Sequence, residues 1–192
     1  MENRVMVYRD IYSNEFLTKF KGYRTKVEEL ELKNSEIDVE AIAKACDIKV
    51  RFDFVEHSGL SRNNGDNTER EIVINQLEPR YRQRFTMAHE IGHIILDHMG
   101  ISYRTDDLKQ YSDTISRMNE VAANNFAAEL IMPKNLVFSV LKSAISDLGY
   151  SIDQEFDEFD IAKITESVAK NLNVSRQALS YRLENLKVFI DD

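Results

Sequence analysis

Cysteine occurs once in this chain, at Cys46, which excludes an internal disulfide and any zinc cluster built on thiolates. That scarcity suits a reducing compartment, and a cytoplasmic location is expected. Long apolar runs are missing as well: nothing approaches the ~20 residues of a spanning helix, and the opening MENRVMVYRDIYSNEF lacks the apolar stretch of a signal peptide. No membrane partner is expected. Glycine numbers 6 and proline 2, with no low-complexity segment and no internal repeat, so the chain should fold almost throughout. Positive charge is in deficit, 25 Lys and Arg against 33 Asp and Glu, and the net charge of −8 makes the surface as a whole repel phosphate. Contact with nucleic acid would require a local basic patch.

At 192 residues and 43% hydrophobic, the chain can bury one sizeable core with a small appendage. Residues 11–33 mix apolar and charged positions at helical spacing, and NSEIDVEAIAKACD offers a cap at Ser35 followed by Ile37, Ile42 and Ala45. Two early helices are expected there. IKVRFDFVE alternates Ile48, Val50, Phe52 and Phe54 with polar residues, EREIVINQ is a β-branched run, and the turn-forming SRNNGDN lies between them. An antiparallel pair is the expectation. Helical patterns return from Tyr81 to His98 and from about Ile115 to Met132, where Pro133 ends the second. The acidic SDLGYSIDQEFDEFD reads as an exposed connection, and the stretch from Ile161 to Phe189 as two helices joined at Asn173 and Ser175.

Within the first long helix, RFTMAHEIGH sets His89 and His93 four residues apart with Glu90 directly after the first. Residues i and i+4 share a helical face, so both imidazoles can reach one ion while Glu90 projects beside them. Zinc suits such nitrogens, but a catalytic zinc normally takes three protein ligands, leaving the fourth position for water. Random placement would generate His-Glu-x-x-His in about 0.8% of chains of this composition, so the motif alone is not decisive.

The second long helix supplies a third ligand in Glu120, from NEVAANNFAAELIMP. Ala123, Asn124 and Ala127 follow it on one face, and Gly92 stands between the histidines opposite. Glycine inside a helix costs about 1 kcal/mol relative to alanine, which is understandable where two backbones must approach closely enough to share an ion. Asn124, one turn after Glu120, is placed to hold the far nitrogen of a ligand histidine. Against these readings stand plainer ones: a solvated polar face for the histidines, and a surface glutamate for Glu120. The apolar flanks RFTMA and IILDH, and the small-residue face around Glu120, weigh against both. His98 falls about 140° round the helix from His93 and cannot easily share its ion, so it reads as a cation at the helix C-terminus or as a flanking stabiliser. His57 reads as a surface histidine.

RFTMAHEIGHIILDH followed by EVAANNFAAELIMP resembles the ImmA/IrrE metallopeptidases, zincin-like proteins that cut helix-turn-helix repressors in bacteria. The likeness runs from about Ile37 to Pro133 and more loosely to Leu186. It implies that His89, His93 and Glu120 hold Zn2+ and that Glu90 is the general base. Ala122 stands where a second acidic residue is frequent in the family, and residues 1–34 have no counterpart. An oxyanion donor should also exist, and Tyr103, His98 and Tyr181 remain open for it.

The stretch TESVAKNLNVSRQALSYRL also resembles a DNA-binding helix-turn-helix, with Ala169 inside, Asn173 in the turn, and Arg176, Gln177, Tyr181 and Arg182 on the second helix. From Phe159 onward, however, Lys163, Lys170, Arg176, Arg182 and Lys187 are balanced by Asp160, Glu166, Glu184, Asp191 and Asp192. Direct DNA binding is therefore not expected, and packing on the core is. The expected fold is α+β: a mainly helical zincin-like core with a small sheet and a C-terminal helix-turn-helix-like segment. The expected division is an N-terminal helical extension over 1–34, the core over 35–135, and a C-terminal helical segment over 136–192. The expected function is a cytoplasmic zinc metalloprotease acting on a protein substrate, a helix-turn-helix repressor. The competing expectation is a non-catalytic zinc-bound regulator or toxin–antitoxin partner that holds a repressor or DNA without cutting.

Overall fold

The computed structural model describes residues 5–63, 70–98, 100–103 and 114–189. The fold is α+β and mainly helical, as the patterning predicts, with one small sheet. In chain order come α1 (Tyr8–Ile11), α2 (Asn14–Thr18), a 3-10 turn (Lys21–Tyr23), α3 (Arg24–Glu28) and α4 (Val39–Ala45). Strands β1 (Lys49–Asp53), β2 (Gly59–Asn63) and β3 (Arg70–Asn75) follow, then α5 (Arg80–Ile95) and β4 (Gly100–Tyr103). The chain continues through α6 (Thr114–Ile131), α7 (Lys134–Asp147), α8 (Glu158–Leu172) and α9 (Arg176–Asn185).

The early helix expected over residues 11–33 is instead several short ones. Ser13 accepts from the Phe16 amide and starts α2, and Lys21, with φ +52°, breaks the helical path between α2 and the 3-10 turn. These short helices are nonetheless part of the core. Tyr8, Tyr12, Phe16 and Phe20 are almost wholly buried, the Phe16 and Phe20 rings lie 5.1 and 5.6 Å from the Phe126 ring on α6, and the Tyr12 hydroxyl donates to the Leu130 carbonyl at 2.6 Å.

The sheet order is β1-β3-β2-β4, and β1 pairs with β3 in parallel, not antiparallel. The element that separates them is β2, which runs antiparallel to β3 and to β4 and takes Ser61, Arg62 and Asn63 from the stretch expected to be a turn. Ile72, Val73 and Ile74 of β3 are fully buried, so the most continuous β-branched run takes an inner position with both faces covered. At the edge, Phe52 and Phe54 stay 42% and 69% exposed. Gly59 opens β2 against α5, where an added Cβ would come within 2.5 Å of Thr86 Cγ2, so the strand presses on the helix that carries the histidines.

Among the described residues, α4, α5, α7, α8 and α9 all finish with one device. A residue at positive φ (Asp47, Asp97, Gly149, Asn173 and Lys187) turns the chain back. The next amide then donates to a carbonyl five residues earlier, as in Ile48 to Ala43, His98 to His93, Tyr150 to Ile145, Val174 to Ala169 and Val188 to Leu183, at 2.9–3.0 Å. This is the Schellman termination, which satisfies carbonyls left over at the helix end.

Candidate metal centre

α5 and α6 pack closely, and Gly92 and Ala123 set how closely. A Cβ built on Gly92 would lie 3.1 Å from Phe126 Cδ1 and 3.3 Å from both Cα and O of Ala123, so the two backbones approach with less than ordinary clearance for even a methyl group between them. Ala123 and Ala127 are fully buried on that face of α6. The contact carries His89 and His93 against Glu120.

The polar atoms then converge. His89 Nε2 and His93 Nε2 lie 3.0 Å apart, Glu120 Oε2 is 3.2 Å from His89 Nε2, and Glu120 Oε1 is 3.1 Å from His93 Nε2. All three residues are at most 4% exposed. Burial alone would raise the Glu120 carboxyl, but hydrogen bonds from His89 and His93 outweigh it and hold the group near pKa 2. These residues are the one group of three or more His, Cys, Asp or Glu found able to surround a cation among the described residues. Glu90, next to His89, is wholly buried on α5.

A divalent ion fits this donor set. Two imidazole nitrogens that face one another at 3.0 Å can share at most one proton, whereas an ion between them and the carboxylate engages both nitrogens and a carboxylate oxygen at once. Bonds of about 2.0–2.1 Å in tetrahedral arrangement place ligand atoms about 3.3 Å apart, close to the separations observed.

The remaining nitrogens are occupied too. Asn124 Oδ1 lies 3.0 Å from His89 Nδ1, the role its position one turn after Glu120 suggests. His98 departs from expectation. Its Nδ1 lies 2.9 Å from His93 Nδ1, with ring centroids 4.9 Å apart, and burial followed by the neighbouring His93 lowers its pKa to about 4. An angle of about 140° from His93 holds only on a continuing helix, but α5 ends at Ile95, and the left-handed Asp97 folds His98 back over His93. A helix followed by Asp-His with no proline was the available signal, and it is a weak one.

Of the open oxyanion candidates, Tyr181 is 59% exposed on α9 and lines a separate groove with Tyr81, Phe85 and Ile131. Tyr103 belongs to β4, and its side chain lies outside the described residues. His57 is exposed in the bend between β1 and β2, and Ala122 is half-buried on α6.

A mainly helical α+β domain in which two packed helices bring a buried His-His-Glu set together has the donor set of a metal-dependent enzyme. More narrowly, the chain belongs to the M78 peptidase family, whose IrrE N-terminal-like domain matches residues 43–184. No curated protein matches the chain. The match spans the sheet, both site helices and most of α9.

Proposed function

We propose that the protein is a zinc-dependent endopeptidase that cuts a helix-turn-helix transcriptional repressor. The observation that carries this reading is the buried cluster of His89, His93 and Glu120, with Glu90 adjoining it on α5, in a chain of the M78 peptidase family. Two imidazoles and one carboxylate favour zinc over magnesium or calcium, which take oxygen ligands, and three protein ligands leave one position for water.

When bound, zinc would lower the pKa of a coordinated water to about 7 and polarise a substrate carbonyl. Glu90 supplies the base. Its carboxylate accepts the proton from the attacking water as the new C–O bond forms, and then delivers it to the amine nitrogen as the C–N bond breaks. His89, His93 and Glu120 would hold the ion, and Asn124 fixes the His89 tautomer by accepting from Nδ1–H.

The C-terminal helices are packed on the core, which weighs against a DNA target. Leu172, Leu179 and Leu183 are buried in the core, and the Arg182 Nε donates to the Met132 carbonyl at 3.0 Å, so a guanidinium on the second helix is committed to packing. Among the described residues no helix is long and apolar enough to cross a membrane.

The test separates holding the metal from using it. Glu90→Gln should keep about one zinc per chain and lose cleavage of a repressor encoded beside this gene, whereas Glu120→Ala should bind zinc weakly and lose cleavage for that reason. Cleavage by Glu90→Gln at near wild-type rate would overturn the assignment of the base. Stoichiometric zinc with no repressor cut by the wild type would favour a protein that holds its partner without hydrolysis.

A further inference from the structure

The five helix ends built alike differ in one respect. In four of them the two residues joined by the closing amide-to-carbonyl bond are aliphatic or aromatic: Ile48 and Ala43, Tyr150 and Ile145, Val174 and Ala169, and Val188 and Leu183. An apolar contact that seals the last turn is the usual accompaniment of this termination. At the end of α5 both residues are histidines, and they meet through Nδ1 atoms 2.9 Å apart. A packing role is served elsewhere in this chain by aliphatic or aromatic residues, so the polar pair needs another reason.

We infer that His98 is a positioning residue for the metal, its Nδ1 accepting the Nδ1–H of His93 so that His93 Nε2 is held bare toward Glu120. The inference rests on the zinc reading above. One proton lies between two nitrogens at this distance, and the donor is settled by the other side of the His93 ring. His93 Nε2 lies 3.1 Å from Glu120 Oε1 and 3.0 Å from His89 Nε2, so in the loaded site that nitrogen is a ligand and the ring proton is on Nδ1. His98 must then present a bare Nδ1 and carry its own proton on Nε2. Asn124 does the same for His89, at 3.0 Å. Each ligand imidazole thus has one acceptor behind it, Asn124 from α6 and His98 from the turn that closes α5. Orienting partners of this kind are worth 10–100-fold in metal affinity.

The experiment uses two substitutions with opposite consequences. His98→Phe keeps an aromatic ring against His93 but offers no acceptor. His98→Asn loses the ring but sets a carbonyl oxygen near the place of Nδ1. Zinc affinity is measured for wild type and both variants by competition with a chromophoric chelator, together with thermal unfolding of the metal-free proteins. The expected result is a loss of about 10–100-fold for His98→Phe, with metal-free stability retained, and recovery of most of that loss in His98→Asn. Wild-type affinity in His98→Phe, or the reverse order with His98→Asn the weaker binder, overturns the inference and assigns His98 to packing. Failure of the wild-type protein itself to take up zinc is a separate result, which removes the metal reading and this inference with it.

Discussion

Glu120 shows how much a single residue can be asked to do. Its carboxylate is buried, which disfavours charge, yet two imidazoles hold it ionised down to about pH 2 against an ordinary value of 4.5. The sign of the consequence follows from linkage. A carboxyl that binds its proton less readily in the folded state stabilises the fold fully above the unfolded pKa, and that contribution is lost as pH falls through the folded one. For metal-free protein, the stabilisation from Glu120 should therefore be complete above about pH 4.5 and disappear toward pH 2. Replacing Glu120 by Gln should flatten this part of the acid unfolding curve, followed by circular dichroism between those limits. An unchanged curve would mean that the imidazoles do not hold the carboxylate in solution.

At the scale of elements, the pairing of α5 with α6 is what builds the site, and Gly92 is its narrowest point. Alanine there gains about 1 kcal/mol of helix propensity, but its methyl would meet Phe126 at 3.1 Å and the Ala123 backbone at 3.3 Å. Ring atoms can yield and backbone cannot, so the helices must separate, and overpacking of this kind costs about 1–3 kcal/mol. Gly92→Ala should thus be destabilised on balance and should bind zinc more weakly, because separation moves Glu120 away from both histidines. Enhanced stability with unaltered zinc affinity would show that the close approach is not required. This contact was legible in the sequence because it depends on residue type at helical spacing: His89, His93 and Gly92 on one helix, Glu120, Ala123, Asn124 and Ala127 on the other. The turn between α8 and α9 was legible for the same reason, since Asn173 tolerates the left-handed φ of 51° and Ser175 caps the next helix. Strand pairing was not. Alternation in β1 marks a strand without naming its neighbour, and β2, Gly-Leu-Ser-Arg-Asn, carries too little apolar pattern to be recognised as the strand that reverses the pairing. His98 escaped because helical periodicity was extended past the residue at which the helix stops.

For the whole molecule, the expected consequence is that the candidate metal centre and the N-terminal residues unfold as one cooperative unit. Residues before Ser35 contribute Tyr8, Ile11, Tyr12, Phe16, Leu17, Phe20 and Val27 to the same hydrophobic cluster that contains Ala127 and Leu130 of α6. Phe16 and Phe20 pack tilted against Phe126, which sits nearly two turns beyond Glu120 and against Gly92. Truncating a buried phenylalanine costs about 3–5 kcal/mol, and in a domain of this size each kcal/mol shifts Tm by roughly 2–4 °C. Phe16→Ala should therefore lower Tm by about 6–20 °C although it lies in the segment without a family counterpart. Zinc bound at the proposed site would act at a different place, adding about 2.7 kcal/mol at a free concentration 100 times Kd, whatever the state of the aromatic cluster. The increment from zinc should then be nearly the same in wild type and Phe16→Ala, and absent in Glu120→Ala. Thermal unfolding of the three proteins with zinc and with a chelator measures both effects. A Tm unchanged by Phe16→Ala would place the N-terminal residues outside the cooperative unit. A zinc increment that vanished with Phe16 would mean that the aromatic cluster itself shapes the metal site.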